Sequence, residues 1–294
     1  MHGAYRQREL VDRVGRYTVR VAIQHGHLQR IWPRILIESA RSTDLLTRAA
    51  AAQLLNGPQS AIASMTAAAL HGCTAVTGTE VHQLVPYCGT RRRRVGLIPH
   101  NGWLPPEDVV EHLGLRVVTP VRAATDLLCT VRARDAIAVI DQMLALHPVD
   151  LREDFRAQVR RRLTERPDAR GTKRGARILE LATGRAESPP ESWLLLEVDA
   201  LGFSAPKSNW PIFAINGREI YRLDLAWPEF LIALEYNGYA VHLDRELEDA
   251  RRAEDLRRRG WIVLTATADD FADSRELERQ LREAFRVRGY QRPC

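Results

Sequence analysis

The sequence has 294 residues and a formal net charge of +6, with 45% hydrophobic and 27% charged residues. This is the composition of an ordinary folded soluble protein, and the length favours two domains over one. Because the N-terminal segment is polar and no apolar run approaches the ~20 residues that cross a bilayer, we expect a cytoplasmic protein without a membrane partner.

Residues 1–38 predict a winged helix-turn-helix. The segments RELVDRV and YTVRVAIQHG carry apolar residues at helical spacing, and HLQRIWPRILIES alternates like two strands with a bend at Pro33. Two small helices followed by a β-ribbon is the order of elements in a winged helix. The arginines along these segments are Arg16, Arg20, Arg30 and Arg34.

Residues 39–150 predict a small α/β domain. Helices are expected over 43–55 and 64–71, and strands over VHQLVPY and RVGLIPH. The segment GLRVVTPVRAATDLL changes from strand to helix at Pro120, where Thr119 is a suitable N-cap. DAIAVIDQMLAL then predicts an amphipathic helix.

Arginines are concentrated in two blocks. The first consists of Arg91, Arg92, Arg93 and Arg94, and the second of Arg160, Arg161 and Arg162. Like charges placed so close together repel one another unless a polyanion or counterions lie opposite, which favours nucleic acid as a partner. A solvated protein face explains each block about equally well when that block is taken alone.

Residues 151–187 predict a basic helical connector, with 11 basic and 6 acidic side chains and a break at PDARGTKRG. A second α/β domain follows over 188–294. Its expected order is a helix opened by SPPE, two strands, the apolar strand FLIALEY, an arginine-rich helix, the strand WIVLTAT and a closing helix.

Three carboxylates of this last domain are predicted to converge. Glu191 stands at the start of its helix, Asp224 lies in the strand YRLDLAW, and Glu235 ends the strand FLIALEY. If the two strands pair, Asp224 and Glu235 lie at one end of a small sheet within reach of Glu191. Carboxylates in one pocket repel unless a hard divalent cation neutralises them, and such a cation activates water for phosphodiester hydrolysis. Mg2+ or Mn2+ is the expected cofactor.

The motifs SPPES, RLDLAWPEFLIALEYNG and LRRRGWIVL stand in this order between Ser188 and about Phe271. This segment resembles the endonuclease-like family related to very-short-patch repair endonucleases, within the PD-(D/E)xK superfamily. The resemblance implies a restriction-endonuclease-like fold and a metal-dependent DNA endonuclease. It also implies that the acidic site residues, and metal ligands, are Glu191, Asp224 and Glu235.

The same resemblance indicates a departure from the superfamily pattern. Asn237 stands where the superfamily usually has lysine, and His242 corresponds to a histidine that is a candidate general base or phosphate contact. Neither lysine of the chain falls in the motif, so the lysine's role passes to Asn237, to His242 or to an arginine such as Arg252. An amide brings no charge to a metal site, which leaves open a domain that has lost catalysis.

The segments AAAAQLLNGPQSAIASMTAAALHG and VHQLVPYCGTRRRRVGLIPHNGWLPPEDVVEHLGLRVVTPVRAATDLL lie in the middle of the chain. Over about residues 10–130 the chain is similar to the abortive-infection type IV antitoxin family (AbiEi-like). The resemblance implies a DNA-binding N-terminus, with Arg16 and Arg20 on a recognition helix and Arg30 and Arg34 on the wing. It also implies a cognate toxin as a possible partner.

Two functions from different classes follow. The first is a DNA-binding protein with a magnesium-dependent endonuclease domain; the alternative is an antitoxin-like regulator whose nuclease fold only binds DNA. RNA as the substrate and a homodimer are further options. Each acidic residue also has a structural alternative: Glu191 complements the helix dipole, Asp224 is an exposed strand residue, and Glu235 forms a salt bridge to an arginine of the following helix.

Overall fold

A computed structural model describes residues 2–76, 78–87, 92–238 and 246–289, with only the backbone of 246–250. Arg91 and His242, two of the predicted site residues, lie outside this part of the chain. The contacts divide the chain into two units, Met1–Val131 with Leu146–Ala176, and Arg132–Ala145 with Arg177–Cys294. Both units are mixed α/β, which confirms the predicted class. In the described part of the chain, no helix has the length and hydrophobicity that crossing a membrane requires.

The N-terminal part of unit 1 forms a three-stranded antiparallel sheet and two short helices. Its elements are β1 (Ala4–Arg6), α1 (Gln7–Val14), α2 (Arg16–Gln24), β2 (Leu28–Trp32) and β3 (Ile35–Glu38), and the strand order is β1-β3-β2. Pro33 and Arg34 connect β2 to β3. Arg34 has a φ of 66°, as the third residue of a type II turn requires, and proline suits the position before it.

The remainder of unit 1 is built on a five-stranded sheet in the order β6-β5-β4-β8-β7. Strands β4 and β8 are parallel, as are β5 and β6, and the other pairs are antiparallel. The strands are β4 (Ala61–Ile62), β5 (Val81–Pro86), β6 (Leu97–Gly102), β7 (Val109–His112) and β8 (Leu115–Val118), and the helices are α3 (Leu45–Asn56), α4 (Ser64–Leu70), α5 (Pro120–Thr130) and α7 (Arg152–Glu165).

Local capping chemistry fixes where two of these helices begin. The Asp44 carboxylate accepts a hydrogen bond from the Thr47 N–H at the start of α3. The Thr119 hydroxyl accepts one from the Arg122 N–H at the start of α5, and Pro120 occupies the first helical position. The predicted change from strand to helix at Thr119–Pro120 is therefore confirmed.

Unit 2 contains a four-stranded sheet in the order β12-β11-β10-β9. The β9–β10 and β10–β11 pairs are antiparallel, and β11–β12 is parallel. Its elements are α6 (Ala133–Ala145), α9 (Pro189–Ala200), β9 (Lys207–Phe213), β10 (Glu219–Trp227), β11 (Ile232–Tyr236), α10 (Glu246–Arg258), β12 (Ile262–Ala266) and α11 (Arg275–Val287), while α8 (Thr172–Leu181) runs across the division of the chain. The predicted order of elements over 188–294 is the one found.

The division between the units differs from the predicted boundaries at 38, 150 and 187. Helix α6, expected in the 39–150 domain, packs on α9 in unit 2. The Asp141 side chain of α6 is buried and accepts hydrogen bonds from the backbone N–H groups of Thr183, Gly184 and Ala186. The expected connector is thus divided, with its first helix in unit 1 and its last residues held by α6.

Candidate functional site

Helix α2 presents an exposed basic face. Val19 is buried in a small core with Leu10 and Leu36, whereas Arg16, Tyr17 and Arg20 of the same helix are exposed. No residue of α2 is acidic, and the Arg20 guanidinium lies 5.4 Å from the centre of the Tyr17 ring. An exposed helix with arginines and an aromatic ring suits contact with phosphates and groove edges.

The β2–β3 hairpin carries the two arginines predicted for the wing. Arg30 and Arg34 are both exposed, and one Arg30 nitrogen donates to the Gln7 side-chain oxygen at 3.2 Å. Arg34 lies at the tip because the turn places it there. The hairpin therefore has the charge that a DNA-contacting wing requires, although DNA contact itself stays a prediction.

The two arginine blocks have different environments. Arg92 and Arg93 are exposed, and Arg93 lies 3.4 Å from the Glu80 carboxylate; the Arg94 backbone bridges to Leu97. In the second block, Arg162 binds the buried Asp108 carboxylate at 2.5 Å. The second block is therefore engaged in part by the protein's own acids, whereas the described arginines of the first block face solvent more freely.

Asp224 and Glu235 lie on adjacent antiparallel strands of unit 2. Leu225 pairs with Leu234, so the same register continued by one residue sets Asp224 opposite Glu235, with both side chains on one face. The Asp224 carboxylate accepts a hydrogen bond from the Tyr236 N–H at 2.8 Å. Burial raises the pKa of Asp224, against the lowering effects of that hydrogen bond and of the nearby Arg252.

Glu191 lies in the first turn of α9 and has a structural task there. Ser188 is the N-cap and prolines follow it, as the SPPE sequence predicted. The Glu191 carboxylate accepts hydrogen bonds from the Glu187 N–H at 2.8 Å and from the Ser188 hydroxyl at 2.7 Å. Burial raises the pKa of Glu191, and the negative charge of Asp224 adds to the increase, so these two carboxyl groups are neighbours.

Glu235, the third carboxylate, is paired with an arginine. The Arg252 guanidinium of α10 forms an ion pair with Glu235 and also donates to the Arg222 carbonyl at 2.8 Å. It lies 5.7 Å from the centre of the Tyr221 ring. This is the salt bridge to the following helix that the sequence left open as the structural alternative for Glu235.

The arrangement does not fit a three-carboxylate metal centre. Among the residues whose positions are described, no group of three or more His, Cys, Asp or Glu side chains can hold a metal ion. The Arg252 guanidinium forms an ion pair with Glu235, and the Glu191 carboxylate accepts a hydrogen bond from the backbone at the start of α9. A divalent cation needs several oxygen ligands, so Arg252 would first have to leave Glu235.

Asn237 is exposed, and its backbone N–H donates to the Ala266 carbonyl at 2.8 Å. The structure thus brings Glu191, Asp224, Glu235 and Arg252 to one region of unit 2, with Asn237 following directly after β11. The roles predicted for these residues in metal binding and catalysis, and for His242, stay predictions.

Several interacting residues escaped the sequence analysis. Tyr17 adds an aromatic ring to the α2 face, and Arg122 joins Arg162 on the buried Asp108. Two exposed aromatic rings, Tyr87 and Trp103, lie in unit 1. The sequence held a signal for Trp103, a tryptophan in the polar turn-forming segment HNGWLPPED; single arginines and aspartates far apart in the chain hold none.

Comparison with known proteins gives a family match, curated relatives and a similar solved structure. Residues 60–181 match the family described as AbiEi antitoxin C-terminal domain. The chain is 30% identical over 253 residues to two Mycobacterium tuberculosis proteins, uncharacterized protein MT2308 of strain CDC 1551 and uncharacterized protein Rv2248 of strain H37Rv; the match covers 85% of this chain and 89% of each relative. The crystal structure of the RV2827C protein from the same species matches with a TM-score of 0.42 and 13% identity, over 72% of this chain and 83% of that one.

Proposed function

We propose that this chain, which belongs to the family of the two Mycobacterium tuberculosis relatives and matches the AbiEi antitoxin C-terminal domain over residues 60–181, is an antitoxin-like DNA-binding regulator. The observation that carries the proposal is the exposed, acid-free face of α2 beside the arginine-bearing hairpin. A DNA-binding region joined to an antitoxin domain suits a protein that controls transcription from its own promoter.

The charge distribution of unit 1 supports DNA as the ligand. Arg16, Arg20 and Arg34 are exposed, and no ion pair engages them within the described residues. A helix docked in the major groove with a hairpin against the backbone uses such side chains to neutralise phosphates. The exposed Arg92 and Arg93 add charge to the same unit. A cognate toxin is the second partner that the antitoxin domain suggests.

The test is a binding titration of the full chain on DNA from upstream of its own gene. We expect the logarithm of the binding constant to fall linearly with the logarithm of salt concentration, with a slope of about −0.9 for each phosphate contact. The double variant Arg16→Ala, Arg20→Ala should bind at least about a hundredfold more weakly, since each of the two lost charged contacts contributes about 1.5–3 kcal/mol.

The matched control is the double variant Arg132→Ala, Arg275→Ala, because both arginines are 88% exposed in their side chains and lie in unit 2. It removes the same two charges from the chain and should leave DNA affinity within about twofold of the parent. Equal weakening by the control and the Arg16→Ala, Arg20→Ala variant would show that net charge, and not the α2 face, determines binding, and the proposed interface would then be wrong.

A metal-dependent nuclease, in which Arg252 would have to leave Glu235 before a metal could bind, is the second candidate. It is favoured by one observation, the convergence of Glu191, Asp224 and Glu235 in unit 2, together with the resemblance of that segment to very-short-patch repair endonucleases. Plasmid cleavage in Mg2+ or Mn2+ that Asp224→Ala and Glu235→Ala both abolish would support it. Cleavage that survives in both variants, or a parent that shifts DNA without cutting it, would rule it out.

A further inference from the structure

Unit 1 contains a cleft that the DNA interface does not use. Its volume is about 530 Å³, within the range of sites that bind small molecules. It lies beside the end of β6, the helix α5 and the segment that follows α7, and among its lining residues are Tyr87, His100, Trp103, Arg162 and Arg170. The lining mixes aromatic rings with guanidinium and carboxylate groups, so the cleft suits a ligand that has both a flat apolar part and a charged part.

Two aromatic rings stand exposed at this cleft. Tyr87 is 74% and Trp103 is 71% exposed, whereas tryptophan is on average a largely buried residue. Nothing in the packing of unit 1 requires two large rings in solvent at one cleft. Exposed rings of this kind are the platforms on which unpaired nucleobases stack, because every base offers a flat π face.

The guanidinium groups at the cleft are held in fixed positions. Arg122 donates to Asp126 at 2.6 Å and to Asp108 at 2.5 Å, and Arg162 donates to the same Asp108 oxygen at 2.5 Å. The Asp108 side chain is only 3% exposed. A buried carboxylate that holds two arginines orients their remaining N–H groups, and arginine forks oriented in this way match the geometry of phosphate oxygens.

The mouth of the cleft carries a further cation. Arg170 is 90% exposed in its side chain and makes bonds of 2.8–3.1 Å to Asp168. On the cleft wall, His100 forms a hydrogen bond of 2.9 Å with His82, and the pKa of His100 is lowered by burial. A neutral imidazole and the Asp126 carboxylate are groups that hydrogen-bond to the edge of a base.

We propose that this cleft binds a nucleoside phosphate, with the base stacked on Trp103 and the phosphate at Arg162 and Arg170. The mixed charge of the lining argues against an apolar peptide, for which the guanidinium and carboxylate groups would be costly to desolvate. The ligand is either a free nucleotide or the unpaired terminal nucleotide of a strand, since both present a base beside a phosphate.

Isothermal titration calorimetry on the full chain tests the proposal. The probes are adenosine, guanosine, cytidine and uridine 5′-monophosphates, ribose 5-phosphate as a ligand without a base, and a short 5′-phosphorylated single strand. We expect at least one nucleotide to bind, and ribose 5-phosphate to bind at least about tenfold more weakly, because one base-stacking contact contributes about 1–3 kcal/mol.

Trp103→Ala and Arg170→Ala are the informative variants, because both side chains are exposed and neither change disturbs the core. Each should weaken nucleotide binding about tenfold. The matched controls are Phe213→Ala, an exposed aromatic residue of unit 2, and Arg132→Ala, and both should bind like the parent. Circular dichroism of each variant establishes that it is folded.

The outcomes separate the ligand sources and decide the proposal. If the phosphorylated strand binds more tightly than the nucleoside monophosphates, a strand end is the ligand; if it binds equally or more weakly, a free nucleotide is the ligand. In both cases Trp103→Ala must weaken the binding. No binding of any probe, binding of ribose 5-phosphate as tight as that of the nucleotides, or affinity unchanged in both variants would overturn the proposal. Nucleotide binding should persist in the Arg16→Ala, Arg20→Ala variant, so its result is independent of the DNA interface.

Discussion

The two units differ in how the charge of a carboxylate on or beside the sheet is neutralised. In unit 1, Asp108 is buried and two guanidinium groups bind it. In unit 2, Asp224 receives one backbone N–H bond, and burial raises its pKa. In unit 1, two arginines compensate the buried charge of Asp108. In unit 2, the charge of Asp224 is compensated only in part, which costs stability and is typical of sites that act on a ligand.

The largest effect should come from breaking the compensated site. Asp108→Ala leaves Arg122 and Arg162 without their shared partner, and we expect it to lower the free energy of unfolding by about 3–5 kcal/mol. Urea denaturation followed by circular dichroism measures this. Asp12→Ala is the control, since its side chain is 69% exposed and its loss should change stability by less than about 0.5 kcal/mol. If Asp108→Ala lowers the free energy of unfolding no more than the control does, the two arginines do not compensate a buried charge, and Asp108 does not differ from Asp224 in this way.

A smaller effect should come from the ion pair of unit 2. Arg252→Met leaves Glu235 without its guanidinium, and the pair is partly exposed, so we expect a loss of about 1–3 kcal/mol. With the guanidinium removed from beside Asp224 and Glu235, the variant's unfolding temperature should rise on addition of Mn2+, while the parent's changes little.

Arg257→Met controls for the loss of an arginine on the same helix, because that side chain is 67% exposed. It should show neither the loss of stability nor the response to Mn2+. A large rise in the unfolding temperature of the parent with Mn2+ would mean that Arg252 does not keep a metal from Asp224 and Glu235. The carboxylates of unit 2 would then differ less from the arginine-bound Asp108 of unit 1.

The smallest effect concerns pH in unit 1. Burial, followed by the charge of His100, lowers the pKa of His82 to about 4. The unfolded chain binds protons near pH 6.5 and the folded chain does not, so stability present above about pH 6.5 is lost as pH falls toward 4. After allowance for solvent screening we expect a loss of about 1–2 kcal/mol.

His82→Asn should flatten the dependence of the unfolding free energy on pH across this window, as measured by urea denaturation at several pH values. His25→Asn, at an exposed histidine after α2, is the control and should retain the parent's slope. A parent whose stability does not change between pH 6.5 and 4.5 would contradict the expectation.

Elements fixed by local chemistry were predictable from the sequence. The start of α5 at Thr119–Pro120 follows from a capping side chain and a proline. The start of α9 after Ser188 follows from the prolines in its first turn and from the Glu191 carboxylate, which accepts the Glu187 N–H. All of these groups act within about one turn of the helix. Apolar and polar residues alternate on both sides of Pro33, and this local pattern predicted the β2–β3 hairpin. These signals lie within a few residues of the structure they specify.

Features that depend on distant partners were predictable only in part. β1 has three residues, too few for any periodicity, and exists because it pairs with β3. The ion pair of Arg252 with Glu235 joins residues of a strand and a later helix, and one sequence offers many arginines for that place. The convergence of the three carboxylates was inferred from strand pairing, yet the cation that neutralises Glu235 in the structure is the chain's own.

Helix α6 has a consequence for how this protein can be divided. Because residues 132–145 belong to unit 2 while 146–176 return to unit 1, no single cut in the chain releases either unit intact. The segment that matches the antitoxin domain, 60–181, contains α6 but not α9, on which it packs. Expressed as a fragment, it would expose the side of α6 that packs on α9, and aggregation is the expected fate of such an apolar surface. Truncations of this chain should therefore keep α6 together with α9.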